Sequence, residues 1–295
     1  MNDPVQQTLA RFIGGELSAE MTLMYWLKLG HSVEMIESRL VQDSASTPRL
    51  SPLLDLLRAQ CAGCQRIAKM IAANVDTEAL APSVDEGIDF CRRLFDWSVQ
   101  QSREASVALY SLGSPQLLSE ATGEVVQWLE EQGLVSQQAR IVDVGCGTGR
   151  LEVALSSKVG SILGLDVSPA MVAHARSNCS GLPNVKIELS EGRGFATIPS
   201  QTLDLVLAVD SFPYLFQSGK SLLADHFAEA ARVLRPGGAL VVFELSYGRS
   251  RREDQDDFNA LSAAVGLEVA VAAAQPFRLW DGLAFLSYKP AANVA

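Results

Sequence analysis

At 295 residues and 31.7 kDa, the chain has room for one large or two modest domains. Its residues are 48% apolar and only 20% charged, which suits a packed core and excludes a disordered polyelectrolyte. The net charge of −10 is spread out, −4 over residues 1–113 (10 basic, 14 acidic) and −6 over the rest (14 basic, 20 acidic), so nucleic acid is not an expected partner.

The N-terminal stretch Met1–Ala10 carries Asp3 and no Lys or Arg, unlike a secretory leader. No run reaches the ~18 apolar residues of a membrane helix. Five cysteines are an odd number in a chain too large to depend on disulfides, so a reducing, cytoplasmic setting is expected. His31, His174 and His226 are far apart and no metal site is expected.

Residues 1–113 have helical texture. Ala19–Leu40 predicts a helix or helix pair, with Met21, Met24, Tyr25, Leu27 and Val33 turned inward. Gln42–Pro48 is a polar loop, and Ser51-Pro52 a helix start. Leu57, Cys61, Cys64, Ala68 and Ile71 form one apolar helical stripe, and Val84, Ile88, Cys91, Phe95 and Val99 a second. Cys61 and Cys64 lie within the first stripe and are expected in the core. These helices are expected to form one domain, as a lid, a substrate pocket or a dimerisation surface, with residues 114–295 forming the other.

Ser114-Pro115 starts a helix running to about Gln132, after which short apolar runs alternate with helices. Strands are expected at Arg140–Val144, Ser161–Leu165, Val185–Leu189, Leu203–Val209, Ala239–Leu245, Leu267–Val271 and Leu283–Tyr288. Such βαβ alternation means an α/β fold with a mostly parallel sheet. His226, on a helix over Leu222–Leu234, is expected at a surface or interface, and Arg249–Asp257 as a solvated loop and helix start.

Ile141–Gly149 (IVDVGCGTG) is a buried strand running into a glycine loop, with a helix expected at Leu151–Ser157. The glycines let a ligand lie against the backbone, and the helix start offers N–H groups to a carboxylate or phosphate. The dinucleotide pattern G-x-G-x-x-G fails because Arg150 replaces the third small residue, and the G-x-x-x-x-G-K-[ST] loop is absent. Asp166 ends the second strand, 21 residues after Gly145, where a carboxylate can accept both ribose hydroxyls. Loop and acid together point to an adenosine-type nucleoside whose tail need not be a phosphate.

Val142–Arg150 (VDVGCGTGR) resembles the signature loop of class I S-adenosylmethionine-dependent methyltransferases. The resemblance continues through Leu165–Met171, Ser190–Arg193, Leu203–Ala208 and Ala231–Leu240, covering about residues 114–288. It implies a Rossmann-like seven-stranded sheet of order 3-2-1-4-5-7-6 with the last strand antiparallel. It also implies S-adenosyl-L-methionine as cofactor. Asp143 and the loop Gly145, Cys146, Gly147 and Gly149 would hold its methionine end. Asp166 would hold the ribose, with Val167 and Met171 near the adenine and Glu191 and Gly192 beside it. Asp210 and Ser211 would face the methyl group, and Tyr110 would cover the cofactor. Asp210 and Tyr214 are the candidate proton acceptors, in a segment that departs from the family's D/N/S-P-P-Y/F pattern. A small-molecule acceptor, methylated at O, N or C, is expected. The alternatives are a catalytically silent partner or regulator, the same fold with another chemistry such as aminopropyl transfer or use of a decarboxylated cofactor, and an NAD-dependent oxidoreductase.

Overall fold

The computed structural model describes residues 3–44, 47–73 and 80–291. Part of the polar loop expected at Gln42–Pro48 lies outside them. The chain divides into two compact units.

The first unit takes in the described residues of Met1–Thr77, with Trp97–Glu124 and Phe277–Asp281. Its helices are α1 (Pro4–Ile13), α2 (Ala19–Lys28), α3 (Val33–Ser44), α4 (Ser51–Ala59) and α5 (Cys61–Ala73). The end of α6 (Val84–Gln101), α7 (Arg103–Val107) and the start of α8 (Pro115–Glu131) complete it. The expected pair over Ala19–Leu40 is α2 and α3, and Ser18 caps α2 by accepting the Met21 N–H at 3.0 Å. The stripe from Leu57 to Ile71 is not one helix: it breaks at Gln60, whose ψ of 20° ends α4. After the break the inward face carries Cys64, Ile67 and Met70, with Ala68 and Ile71 half-buried. The core gathers Leu23, Trp26, Leu40, Leu53, Leu57, Cys64 and Ile67. Residues 277–281 return to it: Ser18 donates to Leu279 O at 2.9 Å, Tyr25 to Asp281 at 2.8 Å, and Tyr110 stacks on Trp280 at 5.6 Å.

The second unit takes in the described residues of Glu78–Asp96, Val125–Pro276 and Gly282–Ala295. Its strands are β1 (Arg140–Val144), β2 (Ser161–Asp166), β3 (Val185–Leu189), β4 (Leu203–Val209), β5 (Leu234–Phe243), β6 (Glu268–Ala274) and β7 (Ala284–Tyr288). They form one sheet of order β3-β2-β1-β4-β5-β7-β6, parallel except where β7 runs antiparallel to β5 and β6. The helices are α9 (Arg150–Leu155), α10 (Pro169–Asn178), α11 (Phe212–Ser218), α12 (Lys220–Val233) and α13 (Arg251–Ala264). Central strand β4 and the Ala239–Phe243 half of β5 are almost continuously apolar, as burial on both faces requires, and Val206, Phe212, Phe227, Leu240, Phe258 and Phe285 anchor the core.

The division does not follow a single cut after residue 113, because α6 and α8 each contribute to both units. The cut rested on a change of texture, and texture does not reveal which partner buries a helix. His226 is also not at a surface. It is 2% exposed, bonds Leu222 O through Nδ1 at 2.8 Å and sits edge-on to Phe195, and burial lowers its pKa. The stretch Arg249–Asp257 does start a helix, but it is not simply solvated. Asp254 is 1% exposed and accepts from Ser246 at 2.7 Å, while Arg249 pairs with Asp257 at 2.7 Å. Ser250 and Glu253 form a capping box on α13. Ser250→Ala is expected to cost about 1 kcal/mol, read from urea unfolding followed by circular dichroism. No helix among the described residues is long and apolar enough to cross a membrane.

Candidate active site at the glycine loop

The site residues expected in the sheet unit gather at the carboxyl ends of the parallel strands. β1 and β4 are neighbours, and the chain leaves them toward opposite sides of the strand order, which makes this the switch point of the sheet. Asp143 lies near the end of β1 and the glycine loop follows it, Asp166 ends β2 and Val167 follows it, Glu191 and Gly192 follow β3, and Asp210 and Ser211 follow β4. Tyr110 belongs to the helical unit, buried against Trp280.

Gly145, Gly147 and Gly149 all have positive φ (82°, 55° and 80°). At Gly145 a Cβ would stand 2.5 Å from that of Ser211, and at Gly149 it would meet Cys179 and Ala175 at 3.1 and 3.2 Å. At these two positions, then, backbone conformation and packing within the protein require glycine, rather than ligand approach. The loop's N–H groups are also largely spent internally. Gly145 and Cys146 donate to Leu165 O at 2.8 and 3.0 Å, Gly147 to Asp166 Oδ2 at 2.9 Å and Gly149 to Cys146 O at 3.0 Å. With α9 only six residues long, the donor cluster expected for a carboxylate or phosphate is not what the loop presents. Cys146 is buried, and desolvation holds its thiol well above the usual range, so it is no nucleophile.

Carboxylates dominate what remains. Asp166 is 8% exposed and accepts the Gly147 and Ser168 N–H groups, one on each oxygen. Burial raises its pKa to about 6 against the pull of these bonds. Asp143 is 1% exposed, its Oδ1 buried without a hydrogen-bond donor. Desolvation raises its pKa to about 7, opposed by the neighbouring Glu152 carboxyl and by Arg150. Glu152 itself is fully buried, and desolvation followed by the Asp143 charge pushes its pKa far up.

At the end of β4, Ser211 donates to Val144 O at 2.5 Å, and Asp210 has φ 58° and accepts the Tyr247 hydroxyl at 2.5 Å. Tyr247 packs edge-on against Tyr214 at 5.7 Å, which in turn packs against Phe95 at 4.9 Å. Burial first, and then the Asp210 charge, raise the pKa of both phenols, so each stays protonated at neutral pH. Met171 is 1% exposed and Glu191 is exposed. Gly192 is flanked so closely by Val167 and Ile88 that a Cβ would come within 3.0 and 3.2 Å of them.

Asp96, Glu152 and Tyr247 were not singled out in the sequence. Asp96, on α6, accepts from Ser168 Oγ at 2.6 Å and Ala170 N at 3.0 Å, fixing the cap of α10 beside Asp166. It acts across 72 residues of sequence, and no local pattern signals it. Glu152 could have been noticed as the single acid between Leu151 and Leu155, which are both buried. Tyr247 follows β5 by four residues, a position that only strand order relates to β4.

Residues 141–238 match a family described as a methyltransferase domain. Over 115 residues the chain is 32% identical to the demethylmenaquinone methyltransferase of Tropheryma whipplei (strain Twist), which covers 39% of this chain and 45% of that protein. The chain carries a class I S-adenosylmethionine-dependent methyltransferase domain. It spans less than half the length of that curated relative. In fold, the methyltransferase domain and its surroundings resemble phosphoethanolamine N-methyltransferase 1 of Haemonchus contortus, solved with phosphoethanolamine and S-adenosylhomocysteine. That likeness has a TM-score of 0.57 at 13% identity, over 72% of this chain and 51% of that one. The [4+2]-cyclase SpnF gives a TM-score of 0.53 at 17% identity, over 73% of this chain and all of that one. At these identities the likeness is one of fold. Asp143, the glycine loop, Asp166, Glu191, Asp210 and Tyr214 fall inside the matched segment, whereas Tyr110 and Tyr247 fall outside it.

Proposed function

We propose that this protein transfers a methyl group from S-adenosylmethionine to a small-molecule acceptor. The observation that carries the reading is the acceptor set at the switch point: Asp143, Asp166 and Asp210 around a loop whose N–H groups are mostly spent. Such a site suits a nucleoside with cationic groups on its tail and repels a pyrophosphate, which disfavours NAD. The residues fit the cofactor in detail. Each Asp166 oxygen accepts one backbone N–H and keeps a lone pair for a ribose hydroxyl. The Asp143 carboxylate, a negative charge on β1 beside the loop, suits a cationic group of the cofactor. Val167 and Ile88, packed about Gly192, offer an apolar wall to the base, with Glu191 at its edge and Met171 beneath.

When bound, S-adenosylmethionine supplies a methyl already activated on a sulfonium. The protein's task is to orient the acceptor and exclude water, and proximity is worth about 7–11 kcal/mol in favourable cases. Where the acceptor carries a proton, Asp210 is the group to take it, because Tyr214 and Tyr247 stay protonated and act as donors. The acidic surface and the small-molecule activity named for the Tropheryma relative favour a small acceptor over nucleic acid. The buried thiols Cys64, Cys91, Cys146 and Cys179 suit a reducing, cytoplasmic setting.

A saturating level of S-adenosylhomocysteine, near 100 Kd, is expected to raise the thermal midpoint by about 5 °C or more, and NAD to leave it unchanged. A shift with NAD alone would overturn the assignment. Labelled methyl transfer into a metabolite extract is then expected to yield one labelled product. Binding without transfer across a broad extract would instead mark a silent partner, a real alternative given that the fold is shared with a cyclase.

A further inference from the structure

Asp143, which the sequence resemblance gives a role, is paired with a second carboxyl group, Glu152, which the resemblance does not explain. Asp143 on β1 and Glu152 on α9 are 1% and 0% exposed. Three of their oxygens, Asp143 Oδ1 and both of Glu152, are buried with no donor in reach. The Glu152 carboxyl lies over β2, where a Cβ on Gly164 would come within 2.6 Å of Oε1, and Gly164 is the register partner of Asp143. The charged and titratable groups facing the pair are Arg150, which draws both toward ionisation, and Asp166, Cys146 and Cys179, whose charges would oppose it.

Two carboxylates at hydrogen-bonding range in a dry interior cannot both ionise, and two ionised carboxylates have no proton with which to satisfy each other. We infer that Asp143 and Glu152 share one proton, held on Glu152 and donated to Asp143 Oδ1, making Glu152 a positioning residue that keeps Asp143 ionised for a cationic ligand. The placement follows from burial: both Glu152 oxygens lie buried with no donor, against only one of Asp143, so a charge on Glu152 would be the less satisfied and the proton stays there. A single O–H···O⁻ bond then satisfies Asp143 Oδ1 and one Glu152 oxygen, the other Glu152 oxygen stays an uncharged carbonyl, and the pair presents one negative charge to the loop. The proton sharing stands on the structure alone. Its role toward a ligand rests on the proposed function.

The test compares Glu152→Gln, which keeps a donor but cannot titrate, with Glu152→Leu, which removes the donor at similar volume. A glutamic acid whose folded pKa is raised holds a proton that the unfolded chain releases above about pH 4.5, so it lowers stability progressively as pH rises. The wild-type midpoint is therefore expected to fall between about pH 5 and about pH 8. In Glu152→Gln that fall shrinks by about 3 °C or more, and Glu152→Leu is less stable than Glu152→Gln at both pH values. A Glu152→Gln variant destabilised equally at both pH values would overturn the inference. So would a wild-type protein lacking the infrared C=O band of a protonated carboxylic acid at about pH 8, a measurement that needs no variant.

Titration with S-adenosylhomocysteine supplies the ligand arm. Affinity is expected to fall as pH drops through about 7 and Asp143 takes up the pair's second proton. Glu152→Gln keeps that midpoint, whereas Glu152→Leu moves it upward because Asp143 loses its donor. Equal movement in both variants would sink the positioning role. Failure of S-adenosylhomocysteine to bind at any pH would refute the cofactor assignment and the ligand role with it, while the stability and infrared arms still decide the shared proton.

Discussion

Replacing Asp166 with alanine is expected to weaken S-adenosylhomocysteine binding by at least about 100-fold and to remove methyl transfer at ordinary cofactor concentrations. Two charge-assisted hydrogen bonds to ribose hydroxyls, at about 1.5–3 kcal/mol each, give that magnitude. The same carboxylate also ties the glycine loop to the start of α10, through Gly147 N–H at 2.9 Å and Ser168 N–H at 2.8 Å. The alanine variant leaves both donors without their acceptor, so the loop loses its shape as well as its ligand contact. Asp166→Asn separates the two effects. Its carbonyl oxygen still accepts one backbone N–H, so it is expected to be more stable than the alanine variant while remaining a poor binder. In the wild type, binding is expected to weaken as pH falls through about 6, where Asp166 takes up a proton and can no longer accept from both hydroxyls. Calorimetric titration of all three proteins reads these outcomes, and wild-type affinity in Asp166→Ala would reduce Asp166 to a loop brace.

Gly63→Ala is the second large effect, and it falls on stability rather than binding. Gly63 lies in α5, and a Cβ there would come within 1.9 Å of the Leu112 carbonyl oxygen and 3.0 Å of its carbon. These are backbone atoms, so no rotamer change relieves the overlap, and α5 has to move away from a core built around Cys64, Ile67 and Leu112. A loss of about 3 kcal/mol or more is expected. Gly123 provides the contrast. It lies in mid-α8, where a Cβ would meet nothing within 4 Å. Gly123→Ala is therefore expected to stabilise by about 0.5–1 kcal/mol, because alanine costs less backbone entropy in a helix. Urea unfolding of the two variants beside the wild type measures both. A neutral Gly63→Ala would mean that α5 and residue 112 are not packed as described.

Much of the architecture was legible along the chain because its signals are local. Apolar runs separated by helical stretches marked the seven strands, and all but one of their boundaries fall within three residues of those expected. The extension of β5 back to Leu234 is the largest difference. The glycine loop and the acid after β2 could be read because strand-to-loop transitions are written in neighbouring residues. The cap at Ser168 is a further case: its hydroxyl accepts the Met171 N–H at 3.1 Å.

What misled was information that local pattern does not hold. The stripe across Leu57–Ile71 is periodic whether or not the backbone breaks at Gln60, so periodicity could not reveal the break. His226 occupies a helix position where polarity suggests solvent, yet the helix turns that face onto Phe195 and Phe212.

By itself, then, the sequence determined the α/β class, the strand succession and the glycine loop after β1, because periodicity, turns and caps depend on residues only a few positions apart. Tertiary structure alone decided that Asp96 braces the cap beside Asp166, that Glu152 lies against Asp143, and that Tyr247 rather than a local neighbour meets Asp210. It also decided that residues 80–96 pack with the sheet. Burial, pKa and hydrogen-bond partnership are properties of residues brought together across tens of positions, and in a chain read in one dimension those partners are not neighbours.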